Sequence, residues 1–319
     1  MTPAFQFGLV VLVLALGMGY AGRARKLTPA GVWTGGAVGI SIFVGAGFTG
    51  LAQLVLFFAL GTAASAWRGA DKRRLGLAEE NQGRRTAGQV LANGGVAAGL
   101  GLLAWWWPAH AALAQLMLAG SFAAAAADTL ASELGNVYGR RYYNILTFRP
   151  DARGENGVVS AEGTLCGVAG SAVVAGAYCL GHGWGPWFGG LLLAGTAGNL
   201  ADSVLGATLE RRGCISNNFV NLCNTLVGAL AAAALVWAHQ PAATGAGNSR
   251  APFAVASTQR CAHQYLHASP LFSVADVAAG VIGPPGGRVC RPHSPSQYRL
   301  DLGALPGAGH SEALPRHQA

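Results

Sequence analysis

The chain has 319 residues, of which 52% are hydrophobic and only 11% are charged. Soluble domains carry about 25% charged residues, so the composition argues against a soluble fold and favours a protein that crosses a membrane several times. The formal charge of +8 does not indicate nucleic-acid binding, because the basic residues of the apolar part lie in the loops between its hydrophobic runs. We therefore expect the lipid bilayer, and no nucleic acid, as a partner.

Apolar runs long enough to cross about 30 Å of hydrocarbon recur as far as residue 238. They predict an all-α, polytopic integral membrane bundle of about seven or eight transmembrane helices. The number depends on residues 30–67, which form either two spans or a re-entrant hairpin around a turn at Gly45, Gly47 and Gly50. The predicted spans are 4–21, 30–46, 49–67, 88–107, 109–131, 158–180, 187–208 and 219–238.

The basic residues predict the orientation of these spans. Every Arg and Lys before residue 239 lies in the loop after span one, three, five or seven, and the intervening loops carry none. The positive-inside rule places such loops on the cytoplasmic side, with the N-terminus outside. We therefore expect a multi-pass protein of the cell's inner (plasma) membrane.

The composition changes near residue 239. Residues 239–319 are rich in Pro, Gly, Ser, His and Ala, and their longest apolar run, Val274 to Ile282, is too short to span a membrane. We predict a membrane domain at 1–238 and a disordered tail at 239–319. A misread end of the gene is the alternative explanation of this tail.

Glycine recurs at the four-residue spacing that allows membrane helices to approach closely. We interpret these pairs as packing positions only, because the pattern arises easily in a chain with 48 glycines. The pairs are Gly35/Gly39, Gly95/Gly99 and Gly185/Gly189.

Two acidic residues lie inside apolar stretches, each in nearly the same short sequence motif. One is Ala127-Asp128-Thr129-Leu130 and the other is Ala201-Asp202-Ser203-Val204. A carboxylate inside a membrane helix costs about 2.5–3.5 kcal/mol on insertion scales, so such residues usually have a function. The alternative for Asp128 is a hydrogen-bonded polar residue within the bundle.

Each helix that carries one of the two acids is preceded by a helix with an Asn residue near its start. The fourth and fifth spans, and the sixth and seventh, then form two helical hairpins of the same orientation, which predicts an internal parallel repeat. Chance similarity is the alternative, because the shared phrases are short.

Five polar residues converge on one interface in this topology. Asp128 and Asp202 lie late in inward-running helices, and Asn93, Asn156 and Asn217 lie at the start of outward-running ones. Carboxylates beside amides and helix N-termini suit Mg²⁺ together with phosphate. Arginines could neutralise a second phosphate, although they could serve only as topology signals, and the Asn residues could be plain turn residues. The candidate arginines are Arg84, Arg85, Arg140, Arg141 and Arg153.

Four motifs resemble those of the transmembrane protein 19-like family, long catalogued as domain of unknown function 92. Its plant and cyanobacterial members include phytyl phosphate kinase. The resemblance covers roughly residues 5–238. The motifs are R-x-A-x-Q-V-L-A-N-G-G from Arg85, A-D-T-x-A-S-E-L-G from Ala127, N-G-x-V-S-x-x-G-T from Asn156 and D-S-x-L-G-A-T-x-E from Asp202, which is followed by Asn217-Asn218-x-x-Asn221.

The resemblance implies a membrane enzyme that phosphorylates an isoprenoid monophosphate to the diphosphate at the cytoplasmic face, with CTP or ATP as donor and Mg²⁺ as the expected ion. On this hypothesis Asp128, Asp202, Asn93 and Asn156 are catalytic, and Asp128, Glu133 and Asp202 hold the metal. The substrate-binding residues are Arg85, Ser132, Ser160, Ser203, Asn217 and Asn218. The alternatives are a cation- or proton-coupled transporter, which paired intramembrane carboxylates also suit, and a structural scaffold.

Overall fold

The computed structural model describes residues 3–77 and 83–238, which fold as a bundle of α-helices with a very small amount of strand. The predicted tail, 239–319, lies outside the described residues. The helices are α1 Pro3–Arg23, α2 Pro29–Ala66, α3 Gly69–Arg74, α4 Ala87–Trp106, α5 Ala111–Tyr138, α6 Ala161–His182, α7 Trp187–Leu205 and α8 Asn217–Ala238. A 3₁₀ turn covers Pro108–His110 and a π-helical turn covers Gly206–Glu210; strands β1 (Tyr143–Asn144) and β2 (Val158–Val159) pair antiparallel.

Six stretches of the described chain are long and apolar enough to cross a membrane, which confirms the predicted class. Helix α7 is also close to a spanning length, at 19 residues, and carries Asn199 and Asp202, but it is not one of these six stretches. The six stretches are Ala4–Arg23, Pro29–Ala66, Ala87–Trp106, Pro108–Tyr138, Ala161–His182 and Asn217–Val236.

Helix α2 is a hairpin. Gly47 has φ 57° and ψ −151° in its middle, a conformation that only glycine adopts without strain. A side chain on Gly39 would begin 3.5 Å from Leu54 Cδ2, although these residues would be about 22 Å apart in a straight helix. The arms, 29–46 and 48–66, each rise about 27 Å, close to the thickness of the hydrocarbon core, so the hairpin fits two spans for 30–67 better than a re-entrant loop.

The loops predicted to share one side of the membrane meet at one end of the bundle. The backbone N–H of Arg85 donates to Lys26 O at 2.9 Å, the Trp67 indole donates to the Tyr138 hydroxyl, and the guanidinium of Arg211 pairs with Asp151. We call this end, formed by residues 24–28, 67–77, 83–86, 139–160 and 206–216, the basic end.

The α2 turn lies at the opposite end of the bundle. Gln115 Nε2 donates to Gly45 O at 2.7 Å, and Gly181 packs against Thr49. We call this end the tryptophan end, because Trp105, Trp106, Trp107 and Trp184 lie there. The predicted hairpins, α4–α5 and α6–α7, both run from the basic end to the tryptophan end and back.

Helix α5 is the centre of the bundle, and small residues let its neighbours approach it. A side chain on Gly120 would begin 2.5 Å from Gly228 O on α8, and one on Gly170 would begin 2.7 Å from Ala126 O. By contrast, Gly95 and Gly185 have open space around them, as do Gly99 and Gly189, so the packing interpretation of these two pairs is wrong.

Candidate functional site

A polar cavity of about 570 Å³ opens among α4, α5, α7 and the starts of α6 and α8, at the basic end. Loop 154–160 forms part of its wall. All of the residues predicted to be catalytic, substrate-binding or metal-binding line this cavity except Asn218. Of the candidate arginines only Arg85 lines it, and Arg84, Arg140, Arg141 and Arg153 do not. Asn218 packs instead against Gly88 at the start of α4, so the structure does not bring it to the site.

Asp128 and Asp202 face each other across this cavity from α5 and α7. Their carboxyl groups interact directly, and the hydroxyl of Ser132, one turn further along α5, also contacts Asp128. The Oδ2 atom of Asp202 is buried and accepts no hydrogen bond from the described residues. Two carboxylates this close repel each other unless a proton or a cation lies between them.

Helix α4 presents Asn93 to the same space. The helix starts with a capping box, in which the Thr86 hydroxyl and the Gln89 side chain accept from each other's backbone N–H groups. Asn93 Nδ2 donates to Gln89 O at 3.0 Å, which fixes the side-chain amide. Its Oδ1 atom is buried and has no partner within the described part of the chain.

Loop 154–160 places Asn156 at the wall of the cavity. Gly154 and Gly157, on either side of this residue, have φ values of 84° and 75°. Gly157 also lies so close to Ala207 that a side chain would collide with its backbone. Ser160 then ends the loop by capping α6, since its Oγ accepts from Gly163 N at 3.1 Å.

The remaining predicted hydroxyl and amide groups already have partners within the protein. Ser203 Oγ donates to Asn199 O at 3.1 Å. Asn217 Oδ1 accepts from Asn221 Nδ2 at 3.1 Å, and its side chain also hydrogen-bonds to Glu210. These side chains line the cavity, and their hydrogen bonds also hold together the residues that form its walls.

Glu133 lines the cavity, but its carboxylate has partners of its own. Its Oε1 accepts from the Ser65 hydroxyl at 2.9 Å, and its Oε2 forms an ion pair with Lys72. Both oxygens are therefore engaged by residues outside the aspartate pair. In residues 3–77 and 83–238, no group of three or more His, Cys, Asp or Glu side chains could hold a metal ion.

Arg85 stands at the edge of the cavity. Its guanidinium lies 5.7 Å from the centre of the Phe57 ring, in contact with the second arm of α2 at Gly61. Arg153 approaches from the opposite loop, where its guanidinium lies 5.8 Å from the Tyr142 ring. Its Nε atom is buried and makes no hydrogen bond to a described residue.

The sequence analysis missed several polar residues of the cavity. Asn199 lies one turn before Asp202 on α7, so the three-residue spacing could have identified it. Tyr142 had no such signal: its hydroxyl donates to the Gly135 and Gly139 carbonyls, and burial raises its pKa above the usual value. Asn136 also lines the cavity, as do Gln89, Glu210 and Asn221, which stand in the quoted motifs but were given no role at the site.

A family model described as integral membrane protein DUF92 matches residues 11–237. An uncharacterized membrane protein of Synechocystis is 33% identical over 237 residues, which are 71% of this chain and 90% of that protein. An uncharacterized membrane protein of Methanocaldococcus jannaschii is 34% identical over 228 residues, 70% of this chain and 90% of its own.

A plant protein is similar over the same region. Protein VTE6, chloroplastic, of Arabidopsis thaliana is 30% identical over 238 residues, which are 72% of each chain. No solved structure matches the chain. The family match spans the whole described bundle apart from the start of α1, and it includes every residue of the polar cavity. The chain therefore belongs to the DUF92 family of integral membrane proteins.

Proposed function

We propose that this protein transfers a phosphoryl group from a nucleoside triphosphate to an isoprenoid monophosphate, which becomes the diphosphate. The observation that carries the proposal is the facing pair Asp128 and Asp202 in a polar cavity at one end of a membrane bundle. The family supports it, because its members include phytyl phosphate kinase and the similar VTE6 protein is 30% identical.

The donor set of the cavity fits Mg²⁺. This ion usually binds one or two carboxylates and completes its shell with waters and substrate phosphates. Asp128 and Asp202 would supply the carboxylates, and the unpartnered oxygens Asp202 Oδ2 and Asn93 Oδ1 are free to accept a further interaction. When bound, Mg²⁺ would neutralise charge on the phosphates.

The transfer step makes few demands on the protein. An oxygen of the lipid phosphate bonds to the terminal phosphorus of the donor, the bond from that phosphorus to its bridging oxygen breaks, and a nucleoside diphosphate leaves. Catalysis of this reaction consists of positioning and charge neutralisation. Arg85 would neutralise the acceptor phosphate, while Asn93 and Asn156 would orient it.

A second cavity suits the donor. It has a volume of about 360 Å³, and Arg68, Arg74 and Arg153 line it. Lys72 also lines it and pairs with Glu133 of the polar cavity, so the two cavities are adjacent. The buried, unpartnered Nε of Arg153 is a ready donor for a phosphate oxygen.

We place the basic end in the cytoplasm of a cell with this protein in its inner membrane. The positive-inside rule supports this orientation, and it puts both cavities on the side where nucleoside triphosphates are made. The N-terminus of α1 then lies outside.

The test is the formation of diphosphate from phytyl or geranylgeranyl phosphate by the purified protein, with Mg²⁺ and with ATP or CTP. Asp128→Asn and Asp202→Asn should each lower kcat by about 100-fold or more, since each removes charge from the metal–phosphate cluster. Glu162→Gln is the matched control, because Glu162 lines neither cavity. Equal activity in all four proteins would contradict the role of the aspartates.

The transporter alternative has weaker support in the structure. Residues 123–127 of α5 are almost completely buried between the aspartate pair and the tryptophan end, and Ser171 seals this region by donating to Ala123 O. Proteoliposomes that pass cations or protons without nucleotide would favour transport over the kinase.

A further inference from the structure

An apolar groove lies between α1 and the two arms of α2, with a volume of about 130 Å³. Its walls are aliphatic and aromatic, and its surface toward the surrounding membrane includes the exposed Gly17 and Val55. Among its lining residues are Leu14, Gly17, Met18, Gly35, Leu54 and Phe58.

The groove adjoins the polar cavity. Arg85, Gln89 and Asn93 line both spaces. The Arg85 guanidinium lies over Phe57, itself a wall of the groove. A positive charge therefore stands between an apolar space and a polar one, which is the arrangement that suits a phosphate with a hydrocarbon tail.

Glycines create the space in the groove. Gly17 has no atom within 4 Å of the position that a side chain would take, and Gly35 has only Leu27 Cδ1, at 3.8 Å. The neighbouring Gly36 is different, because a side chain there would begin 2.7 Å from the Met18 sulfur. Thus α1 and the first arm of α2 pack closely at Gly36 and leave room beside it.

We infer that this groove binds the isoprenoid chain of the phosphorylated substrate, with its phosphate at Arg85 and its hydrocarbon between α1 and α2. The inference rests on the proposed function. The lining from Val13 to Ala21 extends about 12 Å along α1, so the groove holds the isoprene units nearest the phosphate and the rest of the chain continues into the bilayer.

Filling the groove tests this inference. Gly17→Leu should raise the KM for geranylgeranyl phosphate about tenfold or more, in line with the cost of lost apolar contacts, with little change for a five-carbon prenyl phosphate. Gly19→Leu is the matched control on the same helix, since Gly19 is exposed, has open space around it and does not line the groove. The inference would be overturned if Gly17→Leu had the wild-type KM for geranylgeranyl phosphate, or if its KM rose equally for both substrates.

A binding experiment separates this inference from the proposed function. A photoreactive geranylgeranyl phosphate, added without nucleotide to the protein in nanodiscs, should label residues 13–21 or 51–58, and geranylgeranyl phosphate should compete better than phosphatidic acid. Labelling of these residues without any kinase activity would refute the proposed kinase function but support the groove as the binding site of the isoprenoid chain. Kinase activity with labelling elsewhere, or equal competition by phosphatidic acid, would refute the groove alone.

Discussion

Removal of the Lys72 charge should destabilise the bundle more than a typical surface substitution. Lys72 is only 3% exposed and Glu133 only 13%, and Lys72 Nζ also donates to the carbonyl of Ala64 at 2.7 Å, near the end of α2. Loss of one partner of a buried ion pair costs about 3–5 kcal/mol. Because Glu133 lines a polar cavity and keeps its bond from Ser65, we expect about 2–3 kcal/mol for Lys72→Met.

This loss is measurable by thermal unfolding in detergent. At about 2–4 °C per kcal/mol for a chain of this size, Lys72→Met should lower Tm by about 5–10 °C. The double variant Lys72→Met/Glu133→Gln should recover much of the difference, because it leaves no unpaired charge. Lys26→Met is the control, since Lys26 is the other lysine of the chain and lies in a loop. A Tm equal to wild type, or a double variant no better than Lys72→Met, would refute the reasoning.

Two further predictions concern glycines. A side chain on Gly61 would begin 2.5 Å from the Arg85 guanidinium, so Gly61→Ala should displace that group and raise the KM for the lipid phosphate about threefold to tenfold. Gly95→Ala is the control, because Gly95 has open space around it and the KM of this variant should not change. An unchanged KM in both variants would refute the role of this contact. Gly157 and Gly213 both have positive φ, a conformation that costs an alanine about 1–2 kcal/mol, but only Gly157 also lies against a neighbouring backbone. The Gly157→Ala variant should therefore unfold at a lower temperature than Gly213→Ala. Equal Tm values for the two variants would contradict this.

The arrangement of spans could be predicted because the bilayer imposes simple rules on the sequence. Apolar length and the alternation of basic loops predicted a polytopic helical bundle and the grouping of the basic loops at one end. The two arms of α2 were predicted only as one of two options, since no charged residue marks the turn between them. Both options place a turn near Gly47, and it is the length of the two arms in the structure that favours two spans.

The candidate site was predicted less completely. Asp128 and Asp202 were identified because acids are costly in apolar helices, and Asn93 because it lies early in a helix that begins on the same side. The ion pair of Glu133 was not predicted, since its partner Lys72 is 61 positions away in the sequence and no local pattern indicates the pairing. Asn218 shared a motif with Asn217 but lies beyond the cavity wall, because α8 turns it toward Gly88.

The hairpin of α2 also bears on how the protein enters the membrane. Residues 29–66 contain no Asp, Glu, Lys or Arg, so during synthesis no charged loop holds the bend on the far side. The two arms must therefore enter the lipid as a pair, with Gly47 as the pivot. If that bend were lost, residues 29–66 would form a single long helix that crosses once, and every later segment would then be inserted with the reverse orientation.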